Sequence, residues 1–349
     1  EEHIKMKKIK WVVIFTISVI CILIGIVMFN RFRISFEELN EIDKKMLTEM
    51  DMYCKKEIES ELWPGYKLSD KTIFAYDGIF GSAYIINPSS EIKSMFATKI
   101  ILPEECNLNV YRLAKFTLQV FIKRLMPGSF NVIGEKIKIF GNEVYYIKYD
   151  ESNFEKEFSS KHFMPFLVHE AFHYFMQNEW SGGSRFYGEL TESDISLIEK
   201  EYVILENIRI ELKKEKPSRD ELLNYSNELI VVREERIKNN PEYLEKELSM
   251  ETDEGTAEYV GIKAAEIVGY NYNVMYFDSG KDIPFDGVIP VLKAGALEKS
   301  FLADSMPYET GALLCLLLEE LEIPNWQEKL NEQTETTPVF LYEILKENI

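Results

Sequence analysis

The apolar pattern divides the chain before any residue suggests a chemistry. Residues 11–29 are nineteen consecutive positions without a charge. As a helix this run would reach roughly 28 Å, close to the hydrocarbon thickness of a bilayer. It predicts one membrane-spanning helix over residues 11–30, in contact with lipid through residues 11–29. Lys5, Lys7, Lys8 and Lys10 precede it, and Arg31 and Arg33 follow. That bias predicts a cytoplasmic N-terminus (residues 1–10) and a remainder on the far side of the cell membrane. Ile26-Val27-Met28-Phe29-Asn30 offers no small-residue cleavage site, so a retained anchor is expected rather than a removed signal peptide.

Beyond the span the pattern shortens and changes period. Residues 31–65 read as a charged juxtamembrane helix, from about Ser35 to Trp63, closed by Pro64-Gly65 and spacing the body from the membrane. Residues 66–160 read as an α/β sublobe. Strands are expected at 73–76, 83–86 and 99–102, then a helix at 107–125 stopped by Pro127-Gly128, then a hairpin of 131–140 and 143–149 around Gly141-Asn142. Residues 161–349 read as a helical sublobe. Within it, residues 241–269 form one helix with Pro241 near its start and Gly269 at its end. Residues of about 190–240 form a helical insertion: Pro217 ends one segment, Ser218-Arg219-Asp220-Glu221 carries a capping pattern, and Ile198, Tyr202, Leu205 and Leu212 share a stripe. Such a hairpin serves either as a lid over a cleft or as a packing brace for the 241–269 helix, and the sequence leaves both open.

Composition is that of a globular chain. Removing the first thirty residues leaves 36 Lys and Arg against 57 Asp and Glu. Such a surface repels nucleic acid and anionic lipid, and neither is expected as a partner; acidity also serves plain solubility. Cys54 and Cys106 could pair outside the cell, though nothing in the sequence fixes a connectivity, and Cys315 lies in an apolar run that reads as core.

One stretch names a chemistry. His169-Glu170-Ala171-Phe172-His173 puts two imidazoles four residues apart on one helix face, with a carboxylate between them. That arrangement suits a single Zn²⁺ gripped by His169 and His173, with Glu170 taking a proton from an attacking water. The plainer reading is an amphipathic helix with two hydrogen-bonded histidines. A catalytic zinc usually takes three protein ligands, and the candidate third is Glu254, in Asp253-Glu254-Gly255-Thr256-Ala257-Glu258-Tyr259. Gly255 and Ala257 would let this helix approach the metal helix closely. Glu258, one turn on, is placed to accept the outer N–H of a ligating histidine, and Tyr259 is expected beside it as a supporting residue. His162, two turns before His169 and separated by roughly 10.5 Å of rise, is too far to share the metal and reads as a surface or rim residue.

These motifs resemble the gluzincin zinc peptidases, which combine His-Glu-x-x-His with a downstream Glu in a Glu-Gly-x-Ala-x-Tyr setting. Met306-Pro307-Tyr308-Glu309-Thr310-Gly311-Ala312-Leu313-Leu314 is similar to the Pro-Tyr-x-x-Gly-Ala-Leu-Leu stretch of the aminopeptidase N-like branch. The resemblance implies that Tyr308 supports the tetrahedral intermediate, that the substrate is a peptide or protein, and that strand 143–149 borders the cleft and pairs with the substrate backbone. An ordinary interior strand is the other reading of 143–149. The third ligand lies 81 positions after His173, where the aminopeptidases have some twenty. No Gly-x-Met-Glu-Asn segment is present to hold a free amino end. The expectation is therefore an α+β zincin-like metallopeptidase, a small sheet lobe plus a helical lobe behind one transmembrane helix, acting as an endopeptidase outside the cytoplasm. An aminopeptidase, or an inactive receptor or scaffold that keeps the fold, stays open.

Overall fold

The structure is a computed structural model and describes residues 2–32, 34–78, 81–115, 117–125, 127–156 and 158–349. Arg33, counted above among the charges after the span, lies outside them. The chain forms two compact units: Glu1–Lys55 with Lys67–Phe154, and Lys56–Tyr66 with Glu155–Ile349.

The first unit begins with helix α1 (Glu2–Phe32), of which Met6–Phe32 is long and apolar enough to cross a membrane. Near its middle the Thr16 hydroxyl donates back to the Val12 carbonyl at 2.9 Å, so it need not seek a partner in lipid. Helix α2 (Glu41–Glu59) corrects the expectation of a spacer. Met46, Leu47, Met50 and Tyr53 are all buried, and buried Asp43 accepts from the Tyr84 and Tyr149 hydroxyls at 2.6 Å each. Glu49, Asp51 and Glu57 of the same helix are buried as well.

The sheet of this unit holds β1 (Ile73–Asp77), β2 (Ala83–Ile86), β3 (Ala97–Lys99), β4 (Val110–Leu113), β5 (Ile137–Ile139) and β6 (Asn142–Tyr149) in the order β3-β4-β2-β1-β6-β5. Neighbours run antiparallel except β1 and β6, which run parallel. Helix α3 (Leu118–Leu125) follows β4. The expected helix over 107–125 is thus a four-residue strand followed by an eight-residue helix. Val110, Tyr111 and Leu113 are β-branched, aromatic or apolar, and pairing with β2 and β3 on both sides decides their conformation.

The 137–149 hairpin forms around Phe140 and Gly141, both at positive φ. The reading of strand 143–149 as a substrate-pairing edge is overturned. β1 occupies one side of β6, and β5 takes the start of the other. Beyond β5, Asn131 Oδ1 accepts from the Tyr146 N–H at 2.6 Å and Ser129 O from the Lys148 N–H at 2.7 Å. No run of free backbone groups remains there for an added strand. No disulfide joins Cys54 to Cys106.

The second unit is helical: α4 (Phe163–Phe175), α5 (Glu192–Leu212), α6 (Arg219–Asn239), α7 (Pro241–Val268), α8 (Val288–Lys293), α9 (Ser300–Asp304), α10 (Met306–Glu320), α11 (Trp326–Asn331) and α12 (Leu341–Glu347). Helix α7 runs through its middle and touches α4, α6, α10 and α12. Its ends follow the sequence rules: Asn240 caps it by accepting from Tyr243 N–H at 3.2 Å, Pro241 opens it, and Gly269 at φ 81° closes it.

Segment 56–66, expected to link the anchor to the body, belongs here instead. Trp63 packs edge-on against Phe172 and Trp326 with ring centroids 4.9 and 5.3 Å away, and the Tyr66 hydroxyl donates to Val168 O at 3.1 Å. The α5–α6 hairpin is a brace. Fully buried Arg233 bridges Glu201 of α5 to Glu251 of α7 at 2.6–3.0 Å.

Candidate metal centre

Helix α4 starts just after His162, and Pro165 falls in its first turn, where a missing N–H costs nothing. The row Pro165, His169, His173 then continues one turn further to Gln177, past the end of the helix. Phe172, on the opposite side, is clamped by Trp63, Tyr66 and Trp180. The aromatic clamp fixes the rotation of α4, and the histidine face is thereby turned toward α7.

Helix α7 can come that close because of Gly261. A Cβ there would sit 3.2 Å from Pro165 O and 3.6 Å from His169 Cβ. Gly255 has another role than the one expected. A Cβ on it would lie 2.4 Å from the Gly311 Cα, so it serves the crossing of α7 with α10, not with α4. The two sequence motifs thus meet glycine to glycine, with Glu254 beside one and Tyr308 one turn before the other.

At this crossing the His169 and His173 Nε2 atoms are 3.2 Å apart, and Glu254 Oε2 lies 3.6 Å from the first and 3.2 Å from the second. These three residues could hold a metal ion. Each imidazole keeps its other nitrogen for a partner. The His169 Nδ1–H donates to Glu258 Oε2 at 3.1 Å, and the His173 Nδ1–H donates to Gln177 Oε1. Gln177 has no freedom to reverse, because its amide nitrogen donates to Asp253 O at 2.7 Å and Thr256 Oγ1 at 2.8 Å. Glu258 is fixed in turn by the Tyr272 hydroxyl. Both Nε2 lone pairs therefore point into the same space.

The local charge favours a cation. Glu170, Asp253, Glu254 and Glu258 surround the two imidazoles, and among the described residues no Lys or Arg forms an ion pair with any of them. Burial disfavours a charged His169, but hydrogen bonds to Glu254 and Glu258 outweigh it and push the imidazole up to about 10. His173 is raised in the same way by Glu254. Burial alone would raise Glu254, yet the two imidazoles pull it well below the usual carboxylate range. Burial raises Glu170 despite both histidines.

Tyr308 lies parallel to His169 with ring centroids 6.1 Å apart. Burial and then the nearby Glu254 carboxylate push its phenol up, so it stays protonated and able to donate. Arg185 NH2 donates to its hydroxyl at 3.3 Å.

Of the residues expected from sequence, His169, His173, Glu254, Glu258 and Tyr308 come together, with Glu170 electrostatically coupled to them. Tyr259 does not join: it turns to the other side of α7, against Trp63 and Trp326 at 6.5 and 5.7 Å, because one residue on a helix is about 100° of rotation. His162 is no surface residue either. It is buried and stacks on Tyr270 at 3.7 Å. Gln177, Tyr272 and Arg185 went unforeseen; only Gln177 left a signal, as the next member of the four-residue row through both histidines. Compared with protein-family models, with curated proteins and with solved structures, the chain matches none.

Proposed function

We propose that the protein is a zinc-dependent peptidase of gluzincin type, held at the cell membrane by α1 with its catalytic unit outside the cytoplasm and acting as an endopeptidase. The observation that carries this reading is the donor spacing. One ion about 2.05 Å from each of three donors at tetrahedral angles needs them about 3.3 Å apart, and the three measured separations are 3.2, 3.2 and 3.6 Å. Two nitrogens and one carboxylate, each imidazole oriented from behind, are a donor set that suits Zn²⁺ and leaves a fourth position open.

Zinc held there would lower the pKa of a coordinated water to about 7 and polarise a carbonyl. Glu170 takes the proton of the attacking water and passes it to the leaving amine. Tyr308 donates a hydrogen bond to the carbonyl oxygen as negative charge develops on it. Glu258 and Gln177 accept the Nδ1 protons of His169 and His173, so an ion held at the two Nε2 atoms would displace only the second proton of each imidazole. The four lysines before the span against the arginines after it support the proposed orientation.

Metal analysis of the purified protein, with cleavage of a peptide library by wild type and Glu170→Gln, tests the assignment. About one zinc per chain in both proteins is expected, with turnover falling roughly 10²- to 10⁴-fold in the variant, the range for a general base. Equal turnover in the two would defeat the mechanism, and full zinc occupancy with no cleavage of any peptide would leave only a non-catalytic receptor.

A further inference from the structure

Beside the metal triad a groove of about 630 Å³ runs along α7, lined by Arg185, Phe186, Tyr187, Lys246, Met250 and Glu254. Its far wall is a built loop. The Gly183 N–H donates to Asp253 Oδ2 at 2.8 Å, and a side chain at that position would collide with the Met250 sulfur at 2.7 Å. Phe186 packs edge-on against Tyr243 with centroids 5.0 Å apart. Arg185 reaches from the loop to Tyr308 at 3.3 Å and to Asp304 at 3.6 Å. Tyr187 is 90% exposed and has its ring available to a ligand.

Lys246, Met250 and Glu254 lie at four-residue intervals and share one stripe of α7. Half-buried Lys246 lines this groove and forms no ion pair among the described residues. Glu242, one turn before it, also lines the groove, yet forms no ion pair with it among the described residues. Eight residues of helix place Lys246 roughly 12 Å from Glu254. An extended peptide covers that distance in about three to four residues.

We propose that this groove is a substrate subsite for peptides bearing a carboxylate, which Lys246 binds about three to four residues from the bond being cut. The carboxylate is an Asp or Glu side chain or a C-terminus, and Arg185 closes the end of the groove nearest the reacting carbonyl. This subsite rests on the peptidase reading above for its orientation toward a scissile bond, but its charge preference is measurable without catalysis.

The test uses the full-length, metal-loaded Glu170→Gln protein in detergent and a terminally blocked, otherwise uncharged peptide along which a single Glu is walked, with Gln counterparts. A second set carries a free C-terminal carboxylate in place of the Glu. In equilibrium binding, the Glu peptides should bind about fivefold tighter than their Gln partners, the gain of one partly solvated charge pair. Lys246→Met should erase that difference while leaving the Gln-peptide affinity unmoved, and Lys246→Glu should turn the preference toward a Lys peptide. A response only in the second peptide set would assign the site to a C-terminus. Equal affinity of both Glu and free-carboxylate peptides with their uncharged partners, or an undiminished preference in Lys246→Met, would overturn the proposal. Wild-type protein that binds Glu peptides selectively and cuts none would sink the peptidase reading and leave the subsite standing; cleavage with no preference for Glu would do the reverse.

Discussion

Helix α7 carries carboxylates into two buried clusters. Glu247 and Glu251 meet Arg233 and Arg236 from α6 and Glu201 from α5, in fork-shaped contacts of 2.6–3.0 Å. Three residues after Glu251, Glu254 meets His169 and His173. The first cluster is closed by guanidinium groups that never give up their charge. Burial raises the Glu251 carboxyl even against Arg233, while Arg233 and Arg236 bring Glu201 down in spite of burial. The second cluster is closed by imidazoles, whose positive charge is a proton that a divalent ion replaces. Similar acids on one helix therefore build a brace in one place and a candidate metal site in the other, and the identity of the facing cation makes the difference.

The largest effect expected from breaking that contrast is at Glu254. Glu254→Gln keeps the shape but removes the anionic donor and leaves two imidazoles to hold an ion. Metal content should fall toward zero and turnover by roughly a thousandfold or more, the several kcal/mol a Lewis acid supplies. Zinc retained at the wild-type level would show that another group is the third ligand.

Arg233→Met should have the opposite signature. Arg233 is fully buried, as are Glu201 and Glu251. Removing it leaves Glu251 without a cation and Glu201 with Arg236 alone, a loss of about 3–5 kcal/mol for breaking a buried pair from one side. Urea unfolding should register that loss, while zinc content and turnover per folded molecule stay near wild type. Lost zinc with unchanged stability would mean that the two clusters are not separable.

The same contrast marks how far the sequence could be read. The limits of α7, the capping of α6 by Ser218, and the meeting of His169, His173, Glu254, Glu258 and Tyr308 were legible, because each depends on spacing along one helix or on a short motif. What failed depends on which neighbour a residue meets. Residues 110–113 pair as a strand because β2 and β3 flank them. β6 looks the same from sequence with a free edge or a covered one. Gly255 announces a close helix approach without naming the helix, and Tyr259 differs from Glu258 only by the rotation of one residue. The arginine cluster was invisible for the same reason: Arg233 and Arg236 read as exposed charges on a polar helix until Glu201 and Glu247 are placed across from them.

The finest test of the comparison is at Gln177, because it asks whether the imidazole cluster is held as rigidly as the arginine one. Gln177 accepts from His173 Nδ1–H and is itself pinned by Asp253 and Thr256. Gln177→Leu keeps the volume but removes the acceptor, so the His173 ring loses both its fixed tautomer and its fixed rotation. Loss of such an outer partner weakens metal affinity by about 10- to 100-fold. Competition with a chelator should therefore show weaker zinc binding, and turnover at saturating zinc should change much less. Gln177→Glu keeps an acceptor for the same proton and should recover part of that affinity, less the cost of setting a carboxylate oxygen against the Asp253 carbonyl. If Leu and Glu weakened zinc equally, the defect would be one of packing at the end of α4, and His173 would need no orienting partner.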